Sequence, residues 1–283
     1  MTPEDRFLAE IKALQGTIDA LPDEAVRSIL ADLDAARQSV TGILVDAGSY
    51  DALRRQQLLD AIASVMDRFH EQYMSVLAPV QSAIWDAGGA LGAQPLVSAG
   101  LMFHVPQLSR RLLEAAATDH FAAIAAVMDA APAELVQAFR FATLRGQSVY
   151  EAAQSVAGAL TGPSTFGSIA GRAEAITRTE LGRLQATATQ AGLEESQRFV
   201  PDLQKQWRHS GNRGPYRRLG HIEANDQVRD VNDRFRVRPA PGLPYEELMY
   251  PRDPAASARN SVLCGCLTVP YREAWSGLLD QAA

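Results

Sequence analysis

The chain has 283 residues, 47% hydrophobic and 21% charged, the proportions of a soluble globular protein long enough to bury a core. A formal net charge of −6 excludes a protein drawn to nucleic acid by its bulk charge. Cys264 and Cys266, two positions apart and without companions, exclude a secreted disulfide framework. The start, MTPEDRFLAEIK, is acidic and amphipathic, not basic and then apolar as a secretory signal is, so a reducing cytoplasm is expected.

Residues 1–200 carry the period of helices. The first helix is expected over about Pro3–Leu21, with Phe7, Ile11, Leu14, Ile18 and Leu21 on one face and a break at Pro22 and Asp23. A second is expected over about Asp23–Val45, with Val26, Leu30, Leu33, Ala36, Val40 and Leu44 inward. A third starts at Ser49 and carries Leu53, Leu58, Ile62, Val65, Met66, Phe69 and Tyr73. The stretch Ser75–Val105 holds a single charge, Asp86, among Pro79, Pro95 and four glycines. Its interruptions argue against a membrane span and for a buried helical hairpin. Gly88, Gly89 and Gly92 are not followed by the Gly-Lys-Ser/Thr of a phosphate loop.

Further helices are expected over Pro106–Ala131 and Pro132–Leu144, then over Val149–Leu160 behind the cap residue Ser148. Thr161–Ser168 reads as a linker, and Ala170–Arg198 as a long helix with a polar face. Past Val200-Pro201 the pattern changes to short alternating runs between Gly and Pro turns. In Arg234-Phe-Arg-Val-Arg238, for example, Phe235 and Val237 alternate with arginines, as in a half-buried strand with a basic outer face. The fold class expected is therefore mainly α: a multi-helix body over 1–165, then a long helix with a small, loop-rich α+β cap over 166–283.

Charge is uneven along the chain. Residues 1–100 hold 14 acidic and 7 basic side chains, and residues 198–238 hold 10 basic and 5 acidic. Almost every cation is arginine, since Lys12 and Lys205 are the lysines of the chain.

Read in order, the second half carries a constellation. Thr177-Arg178-Thr179-Glu180 lies on the long helix, with Gly192 near its end. Lys205-x-Trp207, Arg218-x-x-His221, Asn225-Asp226-Gln227 and Phe235 follow, then Tyr250-Pro251-x-Asp253-Pro254 and Cys264-x-Cys266. Over about residues 100–275 this resembles the head-morphogenesis family of phage minor head proteins, typified by the F protein of phage Mu. That family carries an Arg-Thr-Glu helix, Lys-x-Trp, Arg-x-x-His, an Asp-Gly-Gln-like turn, Tyr-Pro-x-Asp-Pro and Asn-Cys-Arg-Cys. Two boxes depart from its pattern: Asn225-Asp226-Gln227 lacks the glycine, and Leu263-Cys264-Gly265-Cys266 lacks the Asn and the Arg.

The resemblance implies a low-copy, non-enzymatic virion protein at the portal vertex, made in the host cytoplasm. Its partners would be the portal protein and capsid or scaffold proteins, with roles in head assembly and in DNA packaging or ejection. No stable membrane insertion is expected. Because the resembled domain also occurs fused to effectors, a toxin-delivery module is an alternative, although the chain is expected to leave no room for an effector after Ala283.

The residues themselves leave other readings open. Arg178 and Glu180 beside Ile176 and Leu181 suggest an ion pair or Arg–carbonyl link docking the helix on the cap. A catalytic Glu180 lacks a second acid beside it. His221, Cys264 and Cys266 are acceptable zinc ligands, with His209 as a fourth, but a one-residue spacing is tighter than the usual two to four. Otherwise no cofactor is expected, the cysteines being strand residues near the core and His221 hydrogen-bonded in a turn. An alternative function is a metal-dependent or thiol enzyme using His221, Cys264 and Cys266, but a Cys264–His221 nucleophile pair has no evident orienting group. Arg208, Arg213, Arg217, Arg234, Arg236 and Arg238, with Trp207, Tyr216 and Phe235, form a basic run suited to an acidic protein partner or, non-specifically, to duplex DNA phosphates. Trp85, Trp207 and Trp275 read as core or interface anchors, and Tyr271, Trp275 and Leu278 as a short amphipathic segment for a neighbouring subunit.

Overall fold

A computed structural model describes residues 2–46, 52–145, 147–162, 168–209 and 218–273. The protein is mainly α with a small C-terminal α+β region. Its elements are α1 (Pro3–Asp46), α2 (Ala52–Ser98), α3 (Arg110–Leu144), α4 (Val149–Thr161), α5 (Ile169–Gln197), β1 (Gln204–Arg208), α6 (Leu219–Glu223), β2 (Val228–Asp230), β3 (Phe235–Val237), β4 (Glu246–Leu248), α7 (Ala258–Ser261) and β5 (Leu267–Tyr271). No helix among the described residues is long and apolar enough to cross a membrane.

The helices are longer than their prolines and glycines suggest. Pro22 sits inside α1 instead of ending it. A helical proline forfeits one backbone hydrogen bond, but Phe7, Ile11 and Ile18 before it and Val26, Ile29 and Leu33 after it are all buried, and that packing carries the helix through. The expected start at Ser49 and the linker residues 163–167, with the 165/166 boundary, lie outside the described residues. Pro132 is likewise interior to α3, and Pro106 lies in the irregular segment before it. The expected hairpin over 75–105 is instead the unbroken C-terminal half of α2, ending where Gly100 turns the backbone at φ 102°.

Compact packing divides the chain into two units that interleave in sequence. One comprises Asp23–Pro79 and Asp119–Thr177, and its described elements are all helices. Its core holds Ile29, Leu33 and Leu44 of α1, Ile62, Phe69 and Tyr73 of α2, and Phe139 of α3. The buried Tyr73 hydroxyl bonds Thr177 Oγ1 at 2.7 Å, and Arg172 pairs with Glu134 at 2.6 Å. Ser148 caps α4 as expected, accepting from the Glu151 amide while the Glu151 carboxylate accepts from the Ser148 amide.

The other unit comprises the start of α1 through Pro22, Val80–Thr118, and everything from Arg178 onward. Here the α2 glycines admit the backbone of α5. A Cβ on Gly88 would stand 2.5 Å from the Gln185 carbonyl oxygen, one on Gly92 2.7 Å from that of Thr189, and one on Gly192 2.5 Å from that of Gly89. The crossing is tied by Thr189 Oγ1 donating to the Gly88 carbonyl at 2.9 Å. The residues taken for helix breakers are the ones that let two helices touch.

Candidate metal centre

The cap is built on β1, the central strand of an antiparallel sheet ordered β2-β1-β5, with Trp207 opposite Thr268 and Lys205 opposite Pro270. Residues two apart on a strand share a face, so the Lys-x-Trp spacing sets both side chains against one partner. The Trp207 ring meets Phe235 edge-on at 5.4 Å, and Lys205 Nζ stands 5.2 Å from the same ring. Phe235 and Val237 of β3 are buried and Arg236 between them is exposed, as the alternation predicts; β3 pairs with β4, not with β1. Lys205 is fully buried and donates to Gln190 Oε1 at 3.1 Å and to the Met249 carbonyl at 2.8 Å. Burial pushes its ammonium down to about 8, against the pull of Glu194 and Asp233.

The turn lacking its expected glycine is clamped to β1. The Asp226 amide donates to the Trp207 carbonyl at 2.9 Å, and the Trp207 amide to that of Gln227 at 3.0 Å. Asp226 takes φ 64°, a left-handed conformation that Asp tolerates better than most residues, and its carboxylate pairs with Arg208 at 2.9 Å. Leu263, where the resembled box carries Asn, also lies at positive φ, 53°, and its amide donates to Thr179 Oγ1 at 3.0 Å. Thr179 of the Arg-Thr-Glu run thus ties α5 to the cysteine bend. Glu180 finds its cation one turn on, in Arg183, whose Nε reaches the Arg252 carbonyl at 3.3 Å. Arg178 is half-buried on the same helix.

Asp253 holds the Tyr-Pro-x-Asp-Pro turn by accepting from the Met249 and Ala255 amides at 2.7 and 2.8 Å, and Tyr250 bonds Thr187 at 3.2 Å. The unassigned position between them, Arg252, is buried at φ 64°. Its guanidinium donates to the Cys264 carbonyl and, at 2.8 Å, to the Gly182 carbonyl; a Cβ on Gly182 would collide with it. Burial pushes this guanidinium down, and the two nearby thiols oppose that shift.

Those thiols and His221 make the centre. His221 lies on α6, whose start is held by Arg218 donating to the Val262 carbonyl. His221 Nδ1 is 3.4 Å from the sulfur of Cys264 and 3.4 Å from that of Cys266. All three ligand atoms fall within 4.8 Å of one another, and the residues are 1%, 4% and 2% exposed. They close one wall of a core that includes Trp207, Phe235, Val237 and Leu248, with Trp207 edge-on to His221 at 5.8 Å. On its far side His221 Nε2 meets Asn260 Oδ1 at 2.9 Å, and Asn260 Nδ2 donates to Glu246 Oε2 at 2.7 Å. The hydrogen bond with Cys266 holds the Cys264 thiol well below its ordinary range, helped by His221 and the Arg252 charge against the opposing effect of burial. Burial pushes Glu246 up, but bonds from Ser257 and Asn260 outweigh it and keep the carboxylate low.

Among the described residues this is the one group of three or more such side chains placed to hold an ion, and the expected fourth ligand, His209, stands outside it. The basic run is less free than its sequence suggests. Arg208 pairs with Asp226; Arg234 donates to the Glu247 carbonyl and lies 3.7 Å from Asp253; Arg236 and Arg238 stack on Tyr245 at 4.8 and 4.4 Å. Arg213, Tyr216, Arg217, Trp275 and Leu278 lie outside the described residues. Trp85 and Trp207 are core anchors, as expected. Glu246, Arg252 and Asn260 were not legible in the sequence, because isolated polar residues in turns carry no period that marks them as buried.

Fold and site together define a mainly helical protein whose α+β cap closes over a buried Cys₂His group. No protein-family model matches the chain, and no solved structure matches it. A stretch of 84 residues is 37% identical to part of an uncharacterized protein, YqbB, of Bacillus subtilis (strain 168). That stretch covers 29% of this chain and 26% of the relative, so the chain spans about a quarter of the relative's length.

Proposed function

We propose that the chain is a minor head protein of a tailed bacteriophage or prophage, acting without catalysis in head morphogenesis at the portal vertex. It resides in the virion head and, during assembly, in the host cytoplasm. The reading rests on the ordered constellation that resembles the phage head-morphogenesis family. It is supported by what those residues do: Thr179, Lys205, Trp207, Arg218, His221, Asp226 and Asp253 each spend their polar or aromatic groups on internal ties of the cap. Such a framework suits a rigid contact surface better than turnover.

The partners proposed are the portal protein and capsid or scaffold proteins. Contact with packaged DNA is the lesser part, since Arg208, Arg234, Arg236 and Arg238 already have intramolecular partners. Co-expression with the portal protein of the same genome, followed by affinity purification of this chain, is expected to recover the portal. A chain recovered alone from cells that hold soluble portal overturns the reading. With the same purified chain, retention of duplex DNA at low salt that weakens steeply as salt rises supports the DNA contact, and no retention at low salt removes it.

A further inference from the structure

We propose that His221, Cys264 and Cys266 hold a zinc ion, and that Asn260 and Glu246 form a relay keeping His221 in the ligating tautomer. The relay is read from hydrogen-bond directions. Glu246, a carboxylate, can only accept, so the Asn260 amide must present Nδ2 to it. Asn260 Oδ1 therefore faces His221 Nε2, and that nitrogen must be the donor. In the neutral imidazole the proton is thereby committed to Nε2, which leaves Nδ1, facing the two sulfurs, as the ligating atom. Metal-bound histidines are oriented in this way, the far nitrogen donating to a fixed oxygen.

The sulfurs complete the case. Both sulfurs stand at the same 3.4 Å from Nδ1, so the three ligand atoms converge on one point. An ion seated among the three atoms would satisfy all of them. Tetrahedral zinc with ordinary Zn–S and Zn–N bonds sets each S···N edge at about 3.6 Å, so the spacing needs little adjustment. Thiolate and imidazole donors favour zinc over magnesium or calcium. The donors are also held from outside: Thr179 binds the Leu263 amide, Arg252 the Cys264 carbonyl, and Arg218 the Val262 carbonyl. On binding, each thiol still protonated releases its proton to solvent, the sulfurs and Nδ1 each donate one pair, and a water takes the fourth position. The ion would staple α6 to the bend before β5.

The test uses the full chain, purified under reducing conditions without chelator. Elemental analysis is expected to find about one zinc per chain. Replacement by cobalt is expected to give a thiolate-to-cobalt charge-transfer band and the intense visible bands of a tetrahedral site. Cys266→Ser should lose the charge-transfer intensity of one thiolate, and Asn260→Ala should keep the cobalt spectrum but bind zinc roughly 10- to 100-fold more weakly. Should either variant fail to fold, the unaltered chain decides: a mercurial titrating the two thiols is expected to release one zinc to a chromogenic chelator. A reduced chain that carries no zinc and shows no charge-transfer band with cobalt overturns the proposal. So does a chain whose mass shows Cys264 and Cys266 joined as a disulfide.

Discussion

Lys205 is the residue whose chemistry costs the fold most visibly. A fully buried ammonium with two oxygen acceptors and an aromatic ring is tolerated, but its charged form is disfavoured, which lowers its affinity for the proton to about 8 from the ordinary 10.5. Between those two values the unfolded chain holds a proton that the folded chain has released, so stability rises with pH across that window. Below the folded value both states are protonated and the penalty is constant. The burial of Tyr73 raises its phenol and works in the opposite direction above about 10, which closes the window from above. Denaturant unfolding measured at pH 8 and 9.5 is therefore expected to show a gain on the order of 1 kcal/mol. Lys205→Met is expected to reduce that gain, the remainder coming from the depressed Cys264 thiol, and an equal gain in the variant would contradict the assignment.

At the scale of elements, the crossing of α2 and α5 turns on glycines that leave room for carbonyl groups. Gly92→Ala would put a methyl 2.7 Å from the Thr189 oxygen and the Leu193 nitrogen, both backbone atoms that cannot swing aside. A loss of about 2–4 kcal/mol is expected, in the range of overpacked or displaced cores. Gly16, exposed on α1 with nothing within 4 Å of its would-be Cβ, predicts the opposite sign: Gly16→Ala should gain up to about 1 kcal/mol from helix propensity. Thermal unfolding of both variants checks the pair, and equal effects would contradict the close crossing. These helices also show what was legible in the sequence. Apolar periodicity placed α1, α4 and α5 and the strand at Phe235, because period is a local property. Pro22, Pro132 and the α2 glycines read as ends because their local cost is unfavourable; whether packing outweighs it depends on partners far along the chain.

For the whole molecule, the two compact units interleave along the chain. α1 divides at Pro22, and α2, α3 and α5 each contribute to both compact units. An interleaved division of this kind leaves no linker composition to read. The candidate site was partly legible for a complementary reason. His221, Cys264 and Cys266 announce their chemistry by residue type, whereas Arg252, Asn260 and Glu246 acquire theirs from position alone. The proposed role depends on this molecule being built to be incorporated into a larger particle, and counting it there is the most direct measurement. In quantitative mass spectrometry of gradient-purified heads from cells carrying the gene, the chain should co-sediment with the portal protein at a few copies per head. Heads that form, package DNA and sediment normally while the chain stays wholly in the soluble fraction would contradict it.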